Sequence, residues 1–249
     1  MGYSNSMVIK IAYQNVGKGN KAQHAWIKIC RQKELDIIFV REVFIDKRRH
    51  GTINMTGYEL VAELRVTSKV SAYWKIGMGD LWEVVMDKDR TIGIKSGDRR
   101  VIGIYGKGDD NVRQYGEWVD KVFQLLRYQD GLAIGDWNVH HEEWSLIRKG
   151  NKRGRLLHEA AEEVGAGWTG QDGPTWEWKV GRKVKQSRIN LVFVKGVEVI
   201  GKIRKAKLAS DHWGLLMQVE GYLNQVEVER EVVDWDRVDE TLGKNKKKG

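Results

Sequence analysis

Short runs rich in valine and isoleucine recur along almost the whole chain, with turn residues between them. The runs lie at 7–14, 35–40, 58–64, 70–76, 81–86, 91–95, 100–106, 131–137, 189–194, 197–208 and 213–220. Runs of this length and composition are typical of β-strands. They therefore restrict the chain to folds built mainly on β-sheets.

Three stretches with apolar residues at helical spacing interrupt the strand-like runs. They cover residues 22–33, 112–129 and 152–165, and the last ends at a glycine that suits a helix C-terminus. The strands therefore come in two groups, each broken by helices. This order predicts an α/β or α+β protein in which two sheets pack face to face with helices outside.

The chain has no internal repeat and no low-complexity linker before residue 221. Beyond that point the sequence becomes more charged and more mixed in character. We therefore predict one domain over residues 1–222. Residues 223–249 are interpreted as a charged C-terminal extension or a linker.

The charge balance favours an anionic partner. The chain has 43 lysines and arginines against 34 acidic residues, which gives a net charge of +9. Basic side chains gain affinity for nucleic acids by displacing counterions from phosphates. Part of the excess comes from the tail at 244–249, so the charge alone does not identify the partner.

The sequence also bears on where the protein works. No apolar run approaches the roughly 18 residues of a membrane span, and the N-terminal residues lack the pattern of a signal peptide. The single cysteine, Cys30, excludes a disulfide framework and a cysteine-based zinc site within the chain. We expect a nuclear or cytoplasmic protein, neither secreted nor in a membrane, with Cys30 as a small buried residue.

Polar residues that can do chemistry follow or precede many of the predicted strands. They are Asn15, Glu42, Tyr105, Asp136, Asn138, Ser187, Asn190, Ser210, Asp211 and His212. A single polar residue at a strand end often only caps a turn. So many at the ends of one set of strands predict a common site.

The residue types in this set suit acid–base and metal chemistry. Asp136 and Asn138 are two positions apart, so an extended backbone directs both to one side. Asp211 stands beside His212, which joins a carboxylate to a titratable imidazole. Glu42 offers the hard oxygen ligand that Mg²⁺ prefers.

The order of these motifs resembles the endonuclease/exonuclease/phosphatase superfamily. The blocks are QN (14–15), RE (41–42), Tyr105, GDWN (135–138), SRINLVF (187–193) and SDH (210–212), and the resemblance covers essentially residues 7–220. The segment GDWNVHHEEW (135–144) is similar to the GDFN-x-HH-x-x-W form of LINE-type (non-LTR) retrotransposon endonucleases. The resemblance implies a four-layer αββα sandwich, with two mixed sheets flanked by helices.

The resemblance also implies a magnesium- or manganese-dependent endonuclease that nicks double-stranded DNA and leaves a 3′-hydroxyl. Glu42 would hold the metal, with Asn15 beside it and Asp211 assisting. Asp136 would orient or deprotonate the attacking water, and His212 would contact a phosphate oxygen or act as acid–base partner. Asn138 and Tyr105 would bind the scissile phosphate. In such elements a reverse transcriptase follows the C-terminal edge.

Two departures from the family pattern bear on activity. Arg41 stands where the family has glutamine, and it is either a benign neighbour of Glu42 or a positive charge that lowers metal affinity. Asn190 stands where the family has an aspartate that orients the catalytic histidine. An amide can orient an imidazole but stabilises its charged form less. The alternatives are a catalytically weakened copy that binds nucleic acid or protein, or an abasic-site nuclease or phosphatase of the same superfamily.

Other conspicuous residues have plainer interpretations. His140 and His141 are interpreted as loop or packing residues, and no partner for His158 can be named. Trp176 and Trp178 alternate with polar residues as on a half-buried strand. Stacking on DNA is the alternative for this pair.

Overall fold

The computed structural model describes residues 8–46, 51–52, 54–61, 69–88, 90–145, 149–170, 172–200, 203–207 and 210–220. The predicted domain edge near residue 222 and the extension at 223–249 lie outside the described residues. No helix in the described ranges is both long and apolar enough to cross a membrane.

The described residues form three helices and 17 strands. The helices are α1 (Asn20–Gln32), α2 (Val112–Gln124) and α3 (Lys152–Glu163). The strands are β1 (Ile9–Asn15), β2 (Ile37–Arg41), β3 (Ile45–Asp46), β4 (Gly51–Thr52), β5 (Tyr58–Leu60), β6 (Val70–Lys75), β7 (Glu83–Lys88), β8 (Thr91–Ser96), β9 (Arg99–Tyr105), β10 (Asp130–Asp136), β11 (Gly167–Trp168), β12 (Trp176–Val180), β13 (Lys183–Ser187), β14 (Asn190–Lys195), β15 (Glu198–Val199), β16 (Arg204–Lys207) and β17 (Trp213–Glu220).

Two mixed sheets contain most of the strands. The first has the order β15-β17-β1-β2-β6-β5, with β16 also paired to β17, and the second has the order β11-β14-β10-β9-β8-β7. Each sheet contains one parallel pair among antiparallel ones, β1 with β2 and β9 with β10. Two hairpins, β12–β13 and β3–β4, stand apart from the sheets.

The core between the sheets is apolar and draws on both of them. Ile11 and Phe39 of the first sheet pack in one cluster with Ile94 and Ile134 of the second. All four side chains are excluded from solvent. Burial of this apolar area is the main driving force that holds the two sheets together.

Helices cover the outer faces. Alternate strand residues such as Ala12 point away from the central core and pack with Trp26 of α1. On the other side, Val119 of α2 and Leu157 of α3 pack with Phe193 of the second sheet. The predicted four-layer αββα sandwich is therefore confirmed.

The predicted helix over 112–129 ends earlier, at Gln124. Its start has a capping box, in which Asn111 and Gln114 each accept a hydrogen bond from the other's backbone. At its end the amides of Leu125 and Leu126 donate to carbonyls only three residues back, at 3.2 and 2.8 Å. This tighter turn ends the helix at Gln124. Leu126 beyond it is still buried, which explains why apolar residues at helical spacing extend past the end of the helix.

The sequence predicted one strand over 197–208, and the structure has β15 and β16 there. Strand β13 was not predicted at all. Its sequence KVKQS is almost wholly exposed, so it lacks the apolar alternation that marks a strand with one buried face.

Candidate active site

The site lies where the carboxyl ends of both parallel strand pairs meet. Asn15 is the register partner of Arg41 in the first sheet, and Asp136 is the partner of Tyr105 in the second. Asp136 also faces Asn190 across the antiparallel neighbour. The strand ends border a cleft with a volume of about 730 Å³. Its lining includes Tyr105, Asp136, Asn138, Ser187 and His212.

His212 is held in one orientation from its buried side. Its Nδ1 lies 3.2 Å from Oδ1 of Asn190 and 3.9 Å from Oδ2 of Asp136. The Asn190 amide nitrogen donates to the backbone carbonyl of Trp213 at 3.0 Å, which fixes its oxygen toward the imidazole. Nδ1 of His212 is therefore the protonated nitrogen that donates to Asn190. The other nitrogen, Nε2, remains for chemistry in the cleft.

Burial lowers the pKa of His212, although the nearby carboxylates of Asp136 and Asp211 work in the opposite direction. The residue is only 6% exposed. Because Asn190 is neutral, it adds no charge to counter the cost of desolvating an imidazolium. The neutral ring is therefore favoured in this environment.

Asp136 is completely buried at the floor of the site. Its Oδ2 lies 3.0 Å from Arg41 Nη1, and its Oδ1 accepts the backbone N–H of Asn138 at 3.2 Å. Burial raises the pKa of Asp136, while His212 and Arg41 oppose the shift. A carboxylate with this environment has the character expected of a general base.

The guanidinium of Arg41 bridges the two acidic residues of the site. It contacts Asp136 through Nη1, and Nη2 lies 2.9 Å from Oε1 of Glu42. Its central carbon sits 3.5 Å above the centre of the Tyr105 ring. The side chain is nearly buried, so these contacts fix it between the carboxylates.

Two non-glycine residues of the site have left-handed backbones, Glu42 with φ of 51° and Asn138 with φ of 52°. Such conformations are costly and often occur at functional sites. The Asn138 amide nitrogen donates to the carbonyl of Gly106 at 2.7 Å. A Cβ on Gly106 would lie 2.4 Å from the backbone oxygen of Trp137, so only glycine permits this close approach.

Asn15, Ser210 and Asp211 surround the catalytic set rather than facing its centre. The Asn15 side chain accepts the N–H of Gly17 at 3.0 Å, within its own turn. The Ser210 hydroxyl donates to the carbonyl of Asn15 at 2.7 Å and accepts the N–H of His212 at 3.2 Å. These bonds tie the loop before β17 to the end of β1, and so position His212.

The β12–β13 hairpin borders the cleft and is anchored to the histidine segment. Trp176 pairs with His212 in an isolated bridge, and its indole N–H donates to Oδ2 of Asp211 at 2.9 Å. Trp178 is 49% exposed, and the Lys185 ammonium lies 5.7 Å from the centre of its ring. The sequence predicted a half-buried strand for the tryptophan pair, but β13 and the contact with Asp211 were missed.

Carboxylate oxygens of Asp136 and Glu42 are the kind of donor that Mg²⁺ binds. Burial raises the pKa of Asp136, which marks a negative charge that its surroundings only partly compensate. Arg41 already engages one oxygen of each carboxylate. The residues therefore fit a divalent cation that must compete with the guanidinium.

Residues 99–216 match a family model described as endonuclease-reverse transcriptase. The match contains Tyr105, the GDWN block and the SDH block. It covers four strands of the second sheet, β9, β10, β11 and β14, and the segment that carries His212. None of the curated proteins matches the chain in sequence.

Several solved structures share the fold. The endonuclease domain of TRAS1, a telomere-specific non-LTR retrotransposon, superposes with a TM-score of 0.66 at 17% identity, covering 87% of this chain and 100% of that one. A 3′-5′ exonuclease from Neisseria meningitidis gives 0.58 at 16% identity, covering 86% and 100%. D. rerio TDP2 complexed with single strand DNA product gives 0.55 at 12% identity, covering 85% and 98%.

The predicted resemblance to the endonuclease/exonuclease/phosphatase superfamily, and to its non-LTR retrotransposon members, is confirmed by the family match and the TRAS1 structure. The chain has the nuclease fold of that superfamily. At these identities the solved structures establish the fold alone.

Proposed function

We propose that the chain is a metal-dependent endonuclease that hydrolyses phosphodiester bonds of double-stranded DNA and leaves a 3′-hydroxyl. The observation that carries this proposal is the convergence of Asp136, Asn138 and His212 on one cleft, although they come from distant parts of the sequence. Each has hydrogen bonds that fix its position. Catalysis of phosphate hydrolysis depends mainly on positioning and electrostatic stabilisation, which such a rigid set provides.

Each residue has a role that its contacts support. Asp136 orients the attacking water and accepts its proton. Asn138 and Tyr105 contact oxygens of the scissile phosphate from the cleft wall, and Nε2 of His212 contacts a phosphate oxygen or exchanges a proton. Asn190 positions His212 through Nδ1.

Glu42, with Asn15 and Asp211 nearby, would hold the metal. When bound, Mg²⁺ or Mn²⁺ supplies a Lewis acid that stabilises negative charge on phosphate oxygens. Arg41 adds a fixed positive charge beside the same carboxylates. Its guanidinium therefore supplies part of the positive charge of the site even when no metal ion is bound.

The cleft rim supports a polynucleotide as the substrate. The β12–β13 hairpin presents the exposed Trp178 together with Lys179, Arg182, Lys183 and Lys185. Exposed aromatic and basic side chains are the groups that bind bases and phosphates. This composition favours DNA over a small phosphorylated molecule, and a DNA substrate suits the expected nuclear or cytoplasmic location. A reverse transcriptase on the C-terminal side of the domain is the partner suggested by the family description.

The test is conversion of supercoiled plasmid to the open circle by the purified chain. We expect nicking with Mg²⁺ and none with EDTA, and the nick should prime a DNA polymerase because it bears a 3′-hydroxyl. Conversion that is equal in Mg²⁺ and EDTA would contradict the metal dependence. DNA binding without any conversion would favour the weakened-copy alternative, for which the Arg41 bridge is the specific structural support.

Replacing Asn190 by aspartate should raise the nicking rate about tenfold, which corresponds to about 1.4 kcal/mol of barrier. A carboxylate at this position gives His212 a charge-assisted hydrogen bond that favours the imidazolium. The same change removes the amide donor to the carbonyl of Trp213, and such a loss costs about 1–3 kcal/mol of stability. We therefore expect a faster enzyme that melts a few degrees lower, measured by initial rates and thermal unfolding.

The control for this prediction is Asn190→Asp in a His212→Ala background. The gain in rate must disappear there, because it acts through the imidazole. If the wild type nicks well and Asn190→Asp is no faster, the missing carboxylate is not a defect of this site.

A further inference from the structure

A second cluster of ionisable side chains lies outside the active site, between the loop after β10 and helix α3. It consists of His141, Glu143, His158 and Glu162, which we call the His158 cluster. Among the described residues that line the catalytic cleft, none belongs to it. Neither histidine has a role in the proposed hydrolysis.

The contacts of His158 define the cluster. Its Nε2 lies 3.1 Å from a carboxylate oxygen of Glu143, and its Nδ1 lies 3.2 Å from a carboxylate oxygen of Glu162. The ring of His141 stacks on it, with centroids 4.3 Å apart. His141, Glu143 and His158 each offer a ligand atom within 4.8 Å of the others.

The backbone builds this arrangement. The carbonyl of His140 accepts the N–H of Asn151 at 2.8 Å, just before α3 begins. A Cβ on Gly154 would lie 2.0 Å from the same carbonyl, so the glycine lets the first turn of α3 approach the loop. The carbonyl of His141 then accepts the N–H of Ser145 at 2.8 Å, in one tight turn that includes Glu143. This docking sets His141 and Glu143 against His158.

The pattern of contacts suits a zinc ion. Imidazole nitrogens and carboxylate oxygens are ligands of Zn²⁺, and zinc sites with three protein ligands complete the tetrahedron with a water molecule. Metal-binding histidines usually donate their second ring nitrogen to a carboxylate, which fixes the tautomer. Glu162 is the orienting carboxylate for His158, because it contacts Nδ1 of the ring while Nε2 faces Glu143. His158 therefore lies between two carboxylates, with His141 beside it. Glu143 and the two histidines supply the ligands, and Glu162 supplies the outer carboxylate that orients His158.

We propose that His141, Glu143 and His158 form a zinc site that joins the loop after Asn138 to helix α3, with Glu162 orienting His158. The ligand atoms that are now up to 4.8 Å apart must close to about 3.4 Å, the separation that Zn–N bonds of about 2.1 Å impose in a tetrahedron. Rotation of the partly exposed His141 and Glu143 side chains supplies this movement. At His141 the ion takes the lone pair of Nδ1, which now accepts the backbone N–H of Glu143 at 3.3 Å.

This site goes beyond the proposed nuclease and does not depend on it. A bound zinc ion stabilises the loop that follows Asp136 and Asn138 at the end of β10. It thereby helps to keep these two residues in position at the cleft.

The test is titration of the metal-free chain with ZnCl₂ in excess Mg²⁺, followed by calorimetry and thermal unfolding. The wild type should bind one Zn²⁺ that Mg²⁺ does not displace. Its melting temperature should rise by roughly 5 °C or more when free zinc is about 100 times the dissociation constant. His158→Ala should weaken this binding by about 100-fold or more, and Glu162→Gln by about 10- to 100-fold.

Matched controls separate this site from the rest of the surface and from the active site. Glu159→Gln, an exposed change on the same helix, and His24→Ala, an exposed change on α1, should leave zinc binding unchanged. Glu42→Gln should also leave it unchanged, since the proposed site lies apart from the catalytic carboxylates. The proposal is overturned if the wild type binds no zinc, or if His158→Ala binds it like the wild type. Wild-type binding by Glu162→Gln would contradict the orienting role of Glu162.

Discussion

Asp136→Asn should lower the rate of plasmid nicking by about two to four orders of magnitude, the usual contribution of a positioned acid or base. The substitution keeps the shape of the side chain and removes the charge that accepts the proton of the attacking water. The ionised carboxylate is buried at a cost, which is why its pKa is raised. Removing the charge also removes the cost of burying it, and Arg41 keeps its ion pair with Glu42. We therefore expect the melting temperature to change by no more than a few degrees.

A matched control lies on the same strand. Asp130 begins β10 at the end far from the cleft, and Asp130→Asn should leave the nicking rate within about twofold of wild type. The role of Asp136 would be refuted if its variant cut DNA at the wild-type rate. A melting temperature at or below the assay temperature would show that the loss of activity came from unfolding.

The layered architecture was accessible from the sequence because its strands carry strong signals. Strand β2 is buried along its whole length, and β1 turns Ile11 toward the central core and Ala12 toward α1. Strands that bury side chains on both faces are stable only between two apolar layers. The exposed β12–β13 hairpin carries no comparable signal, since its strands gain little from burial. Its position depends on contacts with Asp211 and His212, far along the chain.

The residues of the candidate site were found because they stand at the ends of strands, and parallel neighbours bring their carboxyl ends to one edge. Their pairing was harder to anticipate. The contact of Arg41 with Asp136 joins the two sheets across a separation of 95 residues. The sequence marked Arg41 as a departure from the family, but only the packing shows that its guanidinium stands between the acidic groups. The predicted contact between Asn190 and His212 is present in the structure.

In contrast to the active-site residues, the residues of the His158 cluster could not be grouped from the sequence. Its histidines were interpreted as packing residues or given no partner, because ligands brought together by a loop and a helix have no fixed spacing in the sequence. The signals that could have revealed them were Gly154, which allows close approach, and the placement of His158 and Glu162 one helical turn apart.

Arg41→Gln should lower the Mg²⁺ concentration that half-saturates nicking by about tenfold to a hundredfold. Unit charges 4 Å apart in a partly buried site interact by up to about 4 kcal/mol, and each 1.4 kcal/mol is tenfold in affinity. The guanidinium lies at 3.0 Å from Asp136 and 2.9 Å from Glu42, so it repels a cation that approaches these carboxylates. Glutamine removes that repulsion and frees one oxygen of each acid.

The same substitution makes stability depend on the metal. Removing one partner of a buried ion pair costs about 3–5 kcal/mol, because the remaining carboxylates lose their compensating charge. Without metal, Arg41→Gln should therefore melt well below the wild type, and Mg²⁺ should raise its melting temperature more than it raises that of the wild type. Arg41→Lys keeps the charge and is the matched control, so its Mg²⁺ requirement should stay close to wild type. If Arg41→Gln and Arg41→Lys need the same Mg²⁺ concentration as the wild type, the guanidinium does not compete with the metal, and its contact with Glu42 and Asp136 serves the fold alone.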